Sequence, residues 1–356
     1  MSMRGILLGF FLLPALAWPG TVRADWLERK LMVNGAGATF PYPLYSRWFS
    51  VYEKEHPALA FNYQSIGSGG GIRQLLDQTV DFGASDAPMS DEQLKKAKSP
   101  VLHIPATMGA VVLTYQKAGL KGPLKLSGEV IAGIFLGKIT RWADPRIVEL
   151  NPTEKTVLES PQDPDILVVH RADGSGTTSI FSEFLSKSSE EWKNKVGKGS
   201  ALRWPTGIGG KGNEGVTSFI KQIPGSIGYV ELVFAKTLGL PVASVRNARG
   251  EYIEPSPRSV TLAAEGALAT IPDDFRASIT LVPATGAYPI SSFTYLLVYD
   301  RMPRGNVRTA LFGFLAWALR NGQELSSGLN YAPLPKPLIK RVLDRLARSE
   351  QEIMRP

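Results

Sequence analysis

From Ile166 to Val169 the chain is unbroken apolar residues, it then passes through His170, Arg171 and a loop of Ala, Asp, Gly, Ser and Thr, and it ends in Ile180, Phe181, Phe184 and Leu185. A short apolar run bounded by turn residues reads as a buried strand, and the spacing of the last four residues reads as one helix face. Three other stretches repeat this order. Leu31-Met32-Val33 leads through Gly35-Ala36-Gly37-Ala38-Thr39-Phe40-Pro41 to Leu44, Tyr45, Trp48, Phe49 and Tyr52 at helical spacing, ending before Pro57. Ala60 to Gln64 leads through Ile66-Gly67-Ser68-Gly69-Gly70-Gly71 to Ile72, Leu75 and Leu76, and Asp81 to Pro88 precedes a helix from Leu94 to Lys98. Alternating strands and helices confine a chain to an α/β fold with an open, mainly parallel sheet, whose ligands lie at the carboxyl ends of the strands. All four loops fall there.

The first turn of a helix carries backbone N–H groups without intrahelical partners, so glycines before it let an anion approach while Ser and Thr hydroxyls add donors. Arg171, at the end of its strand, could grip an oxyanion through a forked pair of hydrogen bonds, with Asp173 holding the guanidinium in place. Asp-Gly-Ser-Gly is also ordinary turn chemistry, so a purely structural loop has the same composition. Two nucleotide loops are excluded. Gly176 is followed by Thr177 rather than Lys, and Ser179 stands where a dinucleotide loop needs Gly or Ala.

A length of 356 residues suggests two domains at roughly 150 residues each. Arg4, the apolar run Ile6 to Trp18 and the small residues Val22 and Ala24 form a signal peptide, residues 1–24, with cleavage after Ala24 and export to the periplasm. Pro14 and Pro19 interrupt the run, which is short of the ~20 residues of a spanning helix. The chain has no cysteine, so the exported protein depends on its core alone. Without Arg4 and Arg23 the formal charge of +8 falls to +6, a modest field that favours anions. The basic residues are dispersed, and the richest group, Lys336 to Arg348, reads as one face of a terminal helix; nucleic acid is not an expected partner.

Together the loops carry a resemblance. Gly35 to Pro41, Gly67 to Gly71, Val80 to Pro88 and Arg171 to Thr177, followed by Phe135 to Ile139, Glu191-Trp192-Lys193, Gly209 to Asn213 and Ile227 to Glu231, resemble the periplasmic phosphate-binding protein of the high-affinity phosphate ABC transporter. The resemblance covers most of the chain after residue 24 and is looser from about Ala243 to Thr280. It implies the two-lobed, type II periplasmic binding protein fold, each lobe a mixed sheet flanked by helices, with inorganic phosphate in the interlobe cleft. Carried over by position, the ligand contacts are Ala38, Thr39 and Phe40 through backbone donors and the Thr hydroxyl, with Ser68, Asp86, Arg171, Ser175, Gly176 and Thr177; Asp173 supports Arg171. No catalytic residue, metal or cofactor is implied. The partners are the permease subunits of the importer with their cytoplasmic ATPase, and the protein is expected to act as a monomer. Met108 to Leu113 and Ser292 to Val298 read as strands crossing between lobes, giving lobe I as residues 25–107 plus 289–356 and lobe II as 108–288. Closure of the lobes about a hinge is the expected transition.

Two rivals differ in chemistry. A secreted hydrolase with Ser175 as nucleophile lacks the Gly-x-Ser-x-Gly elbow, and alternation along the strand points His170 away from Arg171. A sulfate-binding protein would set the carboxylate of Asp86 against a ligand that has no proton to donate, whereas phosphate near neutrality keeps one.

Overall fold

The computed structural model describes residues 30–120, 122–162 and 164–354; the expected signal peptide, residues 1–24, lies outside them. The first part is β1 (Leu31–Gly37), α1 (Tyr42–Glu55), β2 (Leu59–Ser65), α2 (Ser68–Leu76) and β3 (Phe82–Ser85). The long strand β4 (Val101–Tyr115) follows. The middle of the chain contributes β5 (Leu167–Arg171), α3 (Gly176–Ser188), β6 (Ile208–Gly210), α4 (Gly212–Gln222) and β7 (Ser226–Glu231). Strand β8 (Ser291–Tyr299) then returns, before α5 (Gly305–Arg320) and α6 (Lys336–Met354).

These strands form one curled, mixed sheet in the order β2-β1-β3-β8-β4-β7-β5-β6. The flanks are parallel as the strand–helix alternation predicts, β1 with β2 and β3, and β5 with β6 and β7. The centre departs from that expectation, because β8 runs antiparallel to β3 and β4, and β4 antiparallel to β7. A strand that returns from the middle of the chain enters next to β4 in the opposite sense, and no helical crossover is then needed. Strand β4 pairs with β8 from Val101 to Ala110 and with β7 from Val111 to Tyr115, so one continuous strand belongs to both halves of the molecule. Every residue of β4 after Val101 is buried, which accounts for a run that shows no polar alternation.

Each half has its own aromatic core. Helix α1 buries Leu44, Tyr45, Trp48, Phe49 and Tyr52 on the face read from the sequence, and Phe49 stacks on Phe61 while packing against Phe82 and Phe314. The Trp48 indole donates to Gly322 O (2.8 Å), tying α1 to the turn after α5. On the other side Phe181 stacks on Tyr229 at 4.2 Å between ring centroids, with Phe135 and Trp204 against the same ring. The segment 271–277 makes a separate contact with the first part of the chain. Arg276 pairs with Asp91 (2.6 Å), and Arg341 of α6 donates to Ile271 O (2.9 Å).

Candidate functional site

The loop after β1 is the first wall of the site. The Ala38 N–H donates to Ala84 O (3.0 Å), so the donor expected from Ala38 already serves the sheet, and its carbonyl accepts from the Tyr63 hydroxyl (2.7 Å). The N–H groups of Thr39 and Phe40 have no partner among the described residues. The Tyr331 hydroxyl donates to Phe40 O (2.6 Å), which fixes the peptide at this turn. Ser68 opens α2 and Asp86 follows β3. Their side chains meet, with Ser68 Oγ 3.4 Å from Asp86 Oδ2 and accepting from the Asp86 N–H at 3.3 Å.

Asp86 is 1% exposed. Burial pushes its carboxyl up to about 7, against the lowering supplied by the Thr294 hydroxyl, the Arg171 charge and Ser68. Its Oδ1 accepts from Thr294 Oγ1 (3.0 Å) and its carbonyl accepts from Ser292 Oγ (3.1 Å).

The loop between β5 and α3 is the opposite wall. Arg171 Nε and Nη2 donate to Asp173 Oδ1 (2.8 Å) and Oδ2 (2.6 Å), while Nη1 donates to Thr177 Oγ1 (3.1 Å). Burial alone would raise the Asp173 carboxyl, but the hydrogen bonds and charge of Arg171 and the Gly212 N–H hold it below its ordinary value. Ser175 caps α3 by accepting the Thr178 N–H (3.1 Å), and the N–H groups of Gly176 and Thr177, at the positive end of the helix, have no partner among the described residues. The same bond gives the Ser175 oxygen a helix-capping role. His170, the nearest imidazole in sequence, stacks on Trp204 and bonds to Arg171 O.

Both walls are in contact, so the arrangement is a closed one. Gly69 N–H donates to Gly174 O (2.9 Å), and Asn213 Nδ2 donates to Thr39 Oγ1 (2.7 Å). A Cβ on Gly176 would stand 2.5 Å from Ser68 Oγ and 2.7 Å from the Asp86 Cβ, so only glycine permits this approach. Gly67, at φ +87°, is forced to be glycine both by its backbone and by the Asp173 carboxylate against it. Thr39, Ser68, Asp86, Arg171, Ser175 and Thr177 are all at most 3% exposed. The sequence-predicted residues are thus brought to one buried locus between two walls that are far apart in the chain. A cleft of about 260 Å³ lined by Ile72, Pro88, Ser90, Gln93, Ser179 and Ser200 leads to it past Ser68 and Gly176. Among the described residues no cluster of three or more His, Asp or Glu is arranged to hold a metal ion.

Sequence reasoning missed four neighbours. Thr294 and Ser292, read only as part of a crossing strand, bond to Asp86, and the Ser-x-Thr alternation in Ser292-Phe293-Thr294 was the available signal. The Tyr229 hydroxyl accepts the Arg171 N–H (3.2 Å) and pairs with Thr178 Oγ1 (2.6 Å), and Asn213 joins the walls. Tyr229 and Asn213 lay within recognised motifs, but their partners are remote in sequence.

The profile of the PBP superfamily domain matches residues 21–321. A phosphate-binding protein PstS from Pasteurella multocida is 42% identical over 311 residues, covering 87% of this chain and 88% of that protein. This chain belongs to the PstS family of phosphate-binding proteins. Another member, from Xylella fastidiosa, is 42% identical over 315 residues, covering 88% of this chain and 84% of its own. The crystal structure of the phosphate binding protein from Stenotrophomonas maltophilia superposes with a TM-score of 0.66 at 21% identity, covering 88% of this chain and 94% of that one. At that identity the likeness carries the fold, which is the two-lobed α/β architecture expected for the family.

Proposed function

We propose that this chain binds inorganic phosphate in the closed cleft and delivers it to the membrane subunits of an ATP-driven importer. The observation that carries the reading is Asp86, a buried carboxyl set among donors and facing the wall that holds Arg171. Free N–H groups of Thr39, Phe40, Gly176 and Thr177, hydroxyls of Thr39, Ser68, Ser175 and Thr177, and the Arg171 guanidinium supply donors for a tetrahedral oxyanion; Ala38 lines the site with its main chain. Asp86 alone asks the ligand for a proton. Monohydrogen phosphate offers both kinds of oxygen.

Lobe I comprises residues 25–107 and 289–356 and lobe II residues 108–288, a division supported by the change of partner along β4 at Ala110–Val111. The protein is exported to the periplasm after cleavage at Ala24, acts there as a monomer without catalysis, and meets in the closed, loaded form the permease subunits, which carry the ATPase on their cytoplasmic side. No helix among the described residues is long and apolar enough to cross a membrane.

Calorimetric titration of the mature protein with phosphate, arsenate and sulfate tests the ligand. Saturable binding of the first two and none of sulfate is expected; tight sulfate binding would overturn the reading. Incubation with a chromogenic phosphate ester should release no product, and mass spectrometry of the secreted chain should find Asp25 first.

A further inference from the structure

Thr39 Oγ1 accepts two hydrogen bonds from one residue of the facing wall, from Asn213 Nδ2 at 2.7 Å and from Asn213 N at 3.3 Å. A hydroxyl has two acceptor positions and one proton, so both acceptor positions are filled and the proton is left to donate. No described group of the protein takes it, and it is the only polar function that the Thr39 side chain has left to offer the site, beside the backbone N–H. The orientation of the Asn213 amide is settled by chemistry. Its Oδ1 accepts from the Glu231 N–H (3.0 Å), a group that can only donate, so Nδ2 must be the atom turned toward Thr39. Asn213 is fully buried, and its carbonyl accepts from Thr217 Oγ1 (2.6 Å) inside α4.

From this geometry we infer that Asn213 is a positioning residue, a clasp that forms only when the lobes meet and that commits the Thr39 hydroxyl to donate to the ligand. This inference rests on the proposed phosphate site and adds to it a division of labour between the walls. Thr39, with only its proton left, offers the ligand a donor and no acceptor, so it favours an oxygen that carries no hydrogen, while Asp86 selects one that does. The ligand's proton thereby finds no acceptor at Thr39 and is directed to Asp86, so the clasp contributes to anion recognition as well as to closure. Because the bond joins α4 to the loop after β1, its loss acts on release of the ligand and leaves capture by the open form unchanged.

A double-mutant cycle tests the clasp, with phosphate affinity and dissociation rate measured for wild type, Asn213→Ala, Thr39→Val and the pair. Asn213→Ala is expected to weaken binding about tenfold, through faster dissociation, and to have little further effect once Thr39 is Val. A second variant guards against a folding defect, since Asn213→Asp keeps an acceptor for the Glu231 N–H. It should leave the ligand-free melting temperature near that of wild type. Its carboxylate would take the Thr39 proton and turn the hydroxyl's lone pairs toward the anion, so binding should fall further than in Asn213→Ala. Equal losses from Asn213→Ala in both Thr39 backgrounds, or an Asn213→Asp protein that holds phosphate as wild type does, overturns the clasp alone. Absence of phosphate binding by wild type overturns the underlying site instead.

Discussion

Arg171 and Asp173 form a two-point pair, 2.8 and 2.6 Å, in which the Arg side chain is 1% exposed and the Asp side chain 14%. The guanidinium spends Nε and Nη2 on Asp173 and reaches Thr177 with Nη1, so its position is set before any ligand arrives. Charge-assisted hydrogen bonds contribute about 1.5–3 kcal/mol each, and Arg171→Ala, losing a forked pair, should weaken phosphate binding by on the order of a hundredfold or more. Titration calorimetry measures it; wild-type affinity in this variant would remove Arg171 from the site.

Asp173→Asn has two opposed effects. The amide retains one acceptor for Arg171 and loses the second, which loosens the guanidinium, yet it also removes a negative charge beside the anion site. We expect these to offset, leaving affinity within about tenfold of wild type. A loss as large as that of Arg171→Ala would mean that the orientation of the guanidinium dominates its charge.

Selectivity should depend on Asp86. In Asp86→Asn the amide can donate, so sulfate is expected to bind measurably and the preference for phosphate to shrink, while arsenate competes in both proteins. An unpaired buried polar group costs about 1–3 kcal/mol before charge repulsion is added, which corresponds to roughly tenfold or more in the phosphate-to-sulfate ratio. Competition titrations at neutral pH decide it, and an unchanged ratio would assign selectivity elsewhere.

Closure without ligand should depend on pH through the same residue. Burial raises the Asp86 carboxyl from its ordinary value to about 7 in the closed form, whereas in an opened, hydrated cleft it is expected to return toward that ordinary value. A group with a raised pKa favours the state that raises it at low pH, and that advantage is lost as pH rises through the raised value. The closed fraction of the phosphate-free protein should therefore fall between about pH 4 and 7 and level off above, with Asp86→Asn much flatter. Interlobe distances from single-molecule fluorescence or small-angle scattering would report it; a closed fraction that increases with pH contradicts the assignment.

Gly176→Ala probes the approach of the walls. Its Cβ would press on Ser68 and Asp86, both held by backbone around them, so the closed form should be strongly disfavoured and phosphate affinity lost by a hundredfold or more. Gly176 has an ordinary helical first-turn backbone, so the ligand-free melting temperature should change little.

What the sequence determined by itself is local. The order strand, Gly/Ser/Thr loop, helix is written in apolar spacing, and it specified α1, α2 and α3, the loops before them and the donors they carry, because helix periodicity and glycine chemistry act over a few residues. The spacing also singled out Arg171 with Asp173, two positions apart. Tertiary structure decided the rest. The antiparallel centre of the sheet depends on β8 entering beside β4 from nearly two hundred residues away, a pairing that no local pattern encodes. Asp86 is an ordinary acid in sequence and becomes a carboxyl with a value of about 7 only when the tertiary fold buries it, against the lowering by Thr294, Arg171 and Ser68. Asn213 reads as one residue of a Gly-Lys-Gly-Asn turn until closure brings its amide to Thr39, since a hydrogen bond between remote side chains exists only in the packed geometry that brings them within reach.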